Sequence, residues 1–439
     1  MEVTLAQMLE ARENRAHRQR QLNREYGKTI VSFSMNIAGP VKDSPLIRRG
    51  FRDGCRELEG RLPENAVLHR EAVETVTGCE AMYLLDMEPL AVKSVTARIE
   101  DTHGLGRLFD MDVLGPELTK IDRGEVGGGS RNCIVCGAPG RGCAARRMHT
   151  VDQLQTATSR IFRDHYARSD RERIGDLAVR SLLEEVGITP KPGLVDRRNS
   201  GSHRDMDIRT FQASAAALST YFHACVGIGM DTAGSAPDET FSLLRAAGLR
   251  AEQAMYGATG GVNTHKGAIF TLGVLCGAAG RLWRPEGDFD PAALCREVSS
   301  MTRKAMEEDW KRGGETIGHR LYRDHGIRGI RGEAADGLPS VTQIGLPVFR
   351  SCLEKGMDLN EAGVRTLLHL IARVQDTNLI ARGGISLARR ASERAAALLG
   401  TEFTGADVEA LDDWFIAQNL SAGGCADLLA AVIFLHTLT

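Results

Sequence analysis

At 439 residues the chain exceeds a typical single domain, so two or more domains are expected. A hydrophobic content of 42% with a mean hydropathy of −0.20 describes a soluble globular chain with enough apolar residues for large cores. A formal net charge of −2 makes no electrostatic case for nucleic acid or an anionic membrane surface.

Charges run throughout residues 1–20, which argues against a secretory signal. The most apolar stretch, residues 428–438, falls short of the roughly 18 residues of a membrane span. The chain therefore reads as cytoplasmic, and ten cysteines in that setting point to thiols or metal ligation, not disulfides. Residues 3–22 read as a helix: Thr4 with Gln7 fits a capping box, and Leu5, Met8 and Leu9 begin an apolar face. Strand-like runs follow at 29–37, 81–87, 91–99 and 107–114, broken by turn residues such as Gly39-Pro40 and Gly127-Gly128-Gly129. This half reads as α/β.

From about residue 172 the strand signals fade. Ile174, Leu177, Ala178, Leu182 and Val186 follow helical spacing, as do Ile208, Phe211, Ala215, Leu218 and Phe222. Ala- and Leu-rich helical runs continue through 361–374, 387–399 and 424–437, and their frequent glycines suggest close helix packing. The expected architecture is multidomain: an α/β domain over 1–165, then an all-α helical domain over 172–439. The boundary is expected in the polar stretch 163–173.

Chemistry gathers in each half. If 107–113 is a strand, Phe109, Met111 and Val113 share one face and Leu108, Asp110 and Asp112 the other. Two carboxylates roughly 7 Å apart along a strand can hold Mg²⁺, which clamps the oxygens of a phosphoryl or nucleotidyl transfer. Gly104 and Gly106 allow close approach to phosphate, and Arg107 suits developing charge. An exposed strand face explains D-x-D as well. Asn36, Gly39, Pro40 and Lys42 make a second polar cluster, in which Lys42, or else Lys93, suits a triphosphate. Cys133, Cys136, Cys143 and His149 follow C-x2-C-x6-C-x5-H, a set that can bind tetrahedral structural Zn²⁺ or form a metal-free thiol loop. Arg141, Arg146 and Arg147 form a basic cluster suited to a phosphate, an acidic partner or plain solvent.

In the second half, P-K-P-G-L-V-D (190–196) makes a rigid turn in which prolines flank Lys191 and Gly193 permits a bend. A loop from Gly201 to Asp207 follows. Asp196, Asp205 and Asp207 together can collect Mg²⁺, although Asp205 or Asp207 can instead cap the helix at 208. The segment 259–267 is glycine-rich and carries Asn263, Thr264, His265, Lys266 and Gly267 into an apolar run. Such a loop offers unpaired N–H groups to anions. It is not a P-loop, because G-x-x-x-x-G-K-[ST] is absent. Polar groups at 331–333, 376–378, 382–384 and 423–427 suggest an internal cleft between helix ends.

The order of these motifs resembles a known family. L-x-x-M-L-x-A-R-E at 5–13, S-M-N-I-A-G-P at 34–40, G-R-L-F-D-M-D-V at 106–113 and the Cys–His cluster resemble the apo-citrate lyase phosphoribosyl-dephospho-CoA transferase. P-K-P-G-L-V-D, G-S-H-R-D-M-D, G-G-V-N-T-H-K-G-A-I-F, R-G-E-A and G-G-C-A-D-L-L resemble the triphosphoribosyl-dephospho-CoA synthase. Ala38 and Gly104 stand where the family pattern has proline, which bears on local loop shape. Together the motifs follow the fused, bifunctional form.

The resemblance implies a nucleotidyltransferase-like first domain and two consecutive reactions. The second half takes ATP and 3′-dephospho-CoA, and the 2′-hydroxyl displaces adenine from the ATP ribose. The first half attaches the product to a serine of the apo-acyl carrier subunit of citrate lyase and releases pyrophosphate. In this reading Asp110 and Asp112 bind Mg²⁺ and Arg107 meets phosphate. Lys266 and His265 hold the triphosphate, with Lys191, Gly193, Asn263, Thr264 and Gly267 at the nucleotide. Asp196, Asp205 and Asp207 bind metal or act as base. The rivals are the parallel malonate decarboxylase pathway, a non-catalytic zinc-stabilised carrier-protein adaptor, and a helical nucleoside hydrolase.

Overall fold

A computed structural model describes the backbone of residues 1–439 and the side chains of all but Arg141 and Ala144. The expectation placed on Arg141 therefore lies outside the described residues. The chain divides into two units, Met1–Arg168 and Ser169–Thr439.

The first unit opens with α1 (Leu5–Tyr26). Its capping box forms as the sequence suggests: the Gln7 N–H donates to Thr4 Oγ1, and the Gln7 side chain accepts from the Thr4 N–H. Leu5 and Leu9 are exposed, however, and the α1 residue that enters the core is Leu22. The remaining elements are β1 (Thr29–Met35), α2 (Pro45–Arg61), β2 (Val67–Thr75), β3 (Gly78–Leu85), α3 (Pro89–Thr102), β4 (Phe109–Leu114) and α4 (Gly140–Ala145). The strands form one sheet in the order β2-β3-β1-β4, antiparallel throughout. Phe33 of β1 stacks on Phe51 of α2 at 5.1 Å and meets Phe109 of β4 edge-on at 5.2 Å. Gly54 makes this contact possible, since a Cβ there would stand 2.5 Å from the Phe33 ring.

Residues 91–99 are helical, contrary to the strand expected there. Val92, Val95, Thr96 and Ile99 read as β-branched strand residues, but Pro89 starts a helix and the buried positions Val92, Thr96, Ile99 and Glu100 keep helical spacing. Tertiary burial on one helical face overrides the local β preference.

The division between the units falls inside α5 (Val151–Gly187), whose Ile174, Ala178, Leu182 and Val186 are buried. Helices then follow one another: α6 (Ile208–Ala217), α7 (Ser219–Asp231), α8 (Pro237–Ala258), α9 (Lys266–Leu282), α10 (Pro291–Arg312), α11 (Ile317–His325) and α12 (Gly329–Ala335). A π-helical turn at Ser340–Gly345 leads into α13 (Leu346–Glu354). The chain ends with α14 (Leu359–Arg373), α15 (Thr377–Leu399), α16 (Gly405–Ala417) and α17 (Gly423–Leu438). Among the described residues no helix is long and apolar enough to cross a membrane.

Glycines let α7 and α9 touch backbone to backbone. A Cβ on Gly229 would collide with the Gly277 carbonyl, and one on Gly280 with the Val226 carbonyl. Neither obstacle is a side chain that can turn aside. Gly280→Ala is therefore expected to destabilise the helical unit by about 1–3 kcal/mol. The tryptophans Trp283, Trp310 and Trp414 all lie in that unit, so urea unfolding followed by their fluorescence reads it directly. An unchanged midpoint would show that the two helices part freely.

Candidate active sites

β4 turns Phe109, Met111 and Val113 into the core and Asp110 and Asp112 to the other face. The strand starts later than expected. Gly106–Leu108 is a 3₁₀ turn with Leu108 buried, so Leu108 does not share the carboxylate face. Gly106 is required there, because a Cβ would lie 2.5 Å from the Glu100 carbonyl. Asp110 stands opposite Ser34, and Ser34 opposite Glu80, which makes a polar row across three strands. Glu80 accepts from Arg15 at 2.5 Å and Arg18 at 2.6 Å. Asp112 pairs with Lys120 at 2.6 Å. Partial burial, then the neighbouring Asp112 charge, pushes the Asp110 carboxyl above its usual range, against the pull of Lys120, Arg131 and Arg15. Burial and the nearby Arg131 and Arg123 lower Arg107. Two oxygen donors ringed by cations suit a divalent ion with a polyphosphate. Lys93 and Lys42 do not join them as open phosphate contacts: the first is buried and donates to the Met111 carbonyl at 3.2 Å, the second donates to the Ile37 carbonyl.

The ligand atoms of Cys133, Cys136, Cys143 and His149 all lie within 4.8 Å of one another, a cluster that could hold a metal ion.

The 190–201 loop is tied down by acids. Lys191 is buried, and its Nζ donates to Glu185 Oε1 at 2.5 Å and to the Glu185 carbonyl at 2.9 Å. Its N–H donates to Asp196, which also accepts from the Arg198 and Asn199 N–H groups. Asp412 accepts from the Gly193 N–H at 2.8 Å, Arg198 at 2.7 Å and Asn199 at 2.8 Å. Gly193 has φ of +70°, and a Cβ there would collide with the Leu420 carbonyl.

Beside this loop lies a cavity of about 950 Å³, near the top of the ~300–1,000 Å³ range of small-molecule sites. Lys191, Asp205, Asn263, Thr264, His265, Lys266 and Gly267 line it. Asp196, Asp207 and Gly193 are not among its lining residues. Asp196 spends its carboxylate on loop N–H groups. Asp207 is exposed and caps α6 through the Thr210 N–H, which lowers its pKa. Lys191 lines the cavity while paired with Glu185.

The cavity wall also holds acids that the motif reading left without a role. Asp376 starts α15, accepting from the Asn378 N–H at 2.7 Å, and reaches the start of α17 through the Cys425 N–H at 2.8 Å. Asp427 sits against the start of α9, where a Cβ on Gly267 would strike its carboxylate. Burial raises the carboxyls of Glu185 and Asp376. It raises Asp427 further still, helped by the charges of Glu185 and Asp376 and opposed by the Ala268 N–H. Glu333 accepts from the N–H and hydroxyl of Ser340 in the π-helical turn, and burial raises it too. The loops at 376–378 and 423–427 announced themselves by composition. Glu185 gave no such signal, because one acid in an amphipathic helix reads as solvent-facing.

His265 precedes α9. Its Nδ1 lies 2.7 Å from Ser214 Oγ, which in turn accepts from Thr264 at 2.7 Å. Ser214 Oγ, with one proton and two lone pairs, can serve either tautomer of the ring at Nδ1. Nε2 is buried without a hydrogen-bond partner. Burial, then Lys191, pushes the imidazole down to about 3, so it is neutral at pH 7. Lys266 pairs with Glu252 at 2.8 Å at the cavity edge.

Residues 3–165 match the family apo-citrate lyase phosphoribosyl-dephospho-CoA transferase, and residues 171–439 match ATP:dephospho-CoA triphosphoribosyl transferase. Protein CitXG of Haemophilus influenzae is 34% identical over 98% of this chain and 96% of its own. The chain belongs to the fused CitXG family. Protein CitXG of Leuconostoc mesenteroides subsp. cremoris is 31% identical over 99% of this chain and 97% of its own. The 2-(5''-triphosphoribosyl)-3'-dephosphocoenzyme-A synthase of Klebsiella pneumoniae is 42% identical over 60% of this chain and 90% of its own. As a CitXG member the protein is a bifunctional transferase of citrate lyase prosthetic-group formation.

Two expectations follow from the helical site of this CitXG chain. Lys191→Met leaves Glu185 buried and unpaired and should cost about 3–5 kcal/mol in urea unfolding. His265 has a folded pKa of about 3, below its ordinary 6.5, so the unfolded chain binds the extra proton in between. Its stabilising contribution is present above pH 6.5 and is lost as pH falls toward 3. His265→Gln should flatten the stability–pH curve in that window by up to about 1.4 kcal/mol per pH unit. Identical slopes for the two proteins would show that His265 titrates normally.

Proposed function

We propose that residues 172–439 join ATP to 3′-dephospho-CoA with release of adenine. Residues 1–165, a nucleotidyltransferase-like unit, then transfer the phosphoribosyl-dephospho-CoA group to a serine of the apo-acyl carrier subunit of citrate lyase with release of pyrophosphate. The observation that carries this reading is that two polar sites of different make coexist in one chain. One is a strand face with paired carboxylates, the other a cavity lined by buried acids.

In the cavity the reaction is a glycosyl transfer with oxocarbenium character at the ribose carbon. Carboxylates of Asp376, Asp427 and Glu185 steady that cation. One of these carboxylates, its pKa raised by burial, accepts the proton of the attacking 2′-hydroxyl. The start of α9 and Lys266 receive the triphosphate. His265, neutral and with Nε2 unpartnered, suits the departing adenine or a phosphate oxygen. Asp205 reaches the same space as an oxygen donor for a nucleotide-bound Mg²⁺.

On the strand face Asp110 and Asp112 are the residues to hold Mg²⁺, with Arg107 beside the phosphates. Mg²⁺ held there would supply charge neutralisation for the transfer. Zn²⁺ is the fitting ion for the Cys–His cluster. A cytoplasmic setting suits the free cysteines.

The test is adenine release from ATP and Mg²⁺, with and without 3′-dephospho-CoA, followed by transfer to apo-carrier. Release is expected only when dephospho-CoA is present. Asp110→Asn should lower transfer at least about 100-fold and leave adenine release intact. Release without dephospho-CoA would mean hydrolysis instead, and equal loss of both steps in Asp110→Asn would refute two separate sites.

A further inference from the structure

The segment between β4 and α5 has little apolar burial of its own. Cys136 is exposed, and Cys133, Cys143 and His149 are half-buried. Its order comes from a tight turn. Asn132 and Pro139 form an antiparallel bridge, the Cys133 N–H donates to the Ala138 carbonyl at 2.7 Å, and the Gly137 N–H donates to the Cys133 carbonyl at 3.0 Å. Gly137 has φ of +74°, and the Val135 N–H points at Cys133 Sγ from 3.5 Å. This is how a short knuckle aims two thiolates at one point. The Cys136 and Cys143 sulfurs are 3.5 Å apart. A tetrahedral zinc with bonds of about 2.3 Å sets its sulfurs about 3.8 Å apart. His149 Nε2 is buried and has no hydrogen-bond partner. Three sulfurs and one nitrogen fill four positions, so such an ion has no open site for substrate.

The knuckle is joined to the transfer site by one residue. Arg131 stands immediately before it, and the Arg131 carbonyl accepts from the Gly140 N–H at 2.9 Å. The Arg131 guanidinium donates to the Phe109 carbonyl at 2.7 Å and to the Gly106 carbonyl, which brackets the turn that leads into Asp110. It also lies 3.6 Å from Glu100, whose carboxylate accepts from the Met111 N–H at 2.9 Å. The backbone on both sides of Asp110 is therefore held by Arg131 and Glu100. Nothing in the sequence spacing of the cysteines points to that link.

Resting on the Zn²⁺ reading above, we propose that Cys133, Cys136, Cys143 and His149 hold one Zn²⁺ whose task is to seat Arg131 on the carbonyls of Gly106 and Phe109, and so to fix the strand that presents Asp110. Arg131 is a positioning residue in this scheme. The ion takes no part in bond making, but the transfer step depends on it and adenine release does not.

The experiment uses the full chain. Zinc content is measured on the purified protein, on Cys136→Ser and on Arg131→Ala. Each is then assayed for adenine release, for transfer of preformed triphosphoribosyl-dephospho-CoA to apo-carrier at varied Mg²⁺, and for amide exchange across residues 106–112. About one Zn²⁺ per chain is expected in the parent and in Arg131→Ala, and none in Cys136→Ser. Both variants should lose about 10- to 100-fold in the turnover of transfer, need more Mg²⁺ for half-maximal rate, and exchange faster across 106–112. Adenine release should be unchanged in both. A zinc-free parent chain with free thiols overturns the metal site. A zinc-free Cys136→Ser with parental exchange and transfer overturns the seating role and leaves the Zn²⁺ reading standing. If the parent performs no transfer at all, the functional reading fails, while zinc content and amide exchange still decide the structural link.

Discussion

The ion pair between Lys191 and Glu185 is almost wholly buried in the wall of the cavity, and the loop beside it depends on it. An isolated buried charge costs several kcal/mol, so neither residue is tolerable there without the other. Their contact fastens the end of α5 to the 190–201 loop. The loop can then turn only because Asp196 and Asp412 collect its N–H groups and Gly193 accepts a conformation closed to other residues. The cavity wall on that side is a consequence.

The same difficulty is met differently across the cavity. Among the described residues, Asp376 and Asp427 have no close cation of the Lys191 kind and instead face the N–H groups that begin α15, α17 and α9. Helix starts carry partial positive charge and unpaired donors, which makes them a means of keeping carboxylates buried. The compensation is incomplete, and burial leaves these acids with raised pKa values. A raised pKa makes a carboxylate a stronger base, which suits proton transfer.

The two sites also differ in a way that fits their proposed partners. Asp110 and Asp112 stand on an open sheet face, where a serine borne by another protein can arrive. The cavity gathers its groups below the surface, which suits two small substrates.

Much was legible in the sequence where the signal is local. The capping box of α1, the alternation of β4, the helical runs after residue 172 and the cysteine spacing each depend on residues a few positions apart. The family resemblance likewise rests on contiguous motifs. What the tertiary structure alone decided is which polar group meets which. Residues 91–99 became a helix because burial on one face outweighed β-branched side chains. Asp196 and Asp207 turned to backbone N–H groups, while Glu185, from a helix far from any motif, entered the cavity wall. Arg131 reached back to the carbonyls before Asp110. A carboxylate or guanidinium has the same composition whether it caps, pairs or awaits ligand. Only the positions of distant donors and acceptors, and the removal of water between them, assign its part.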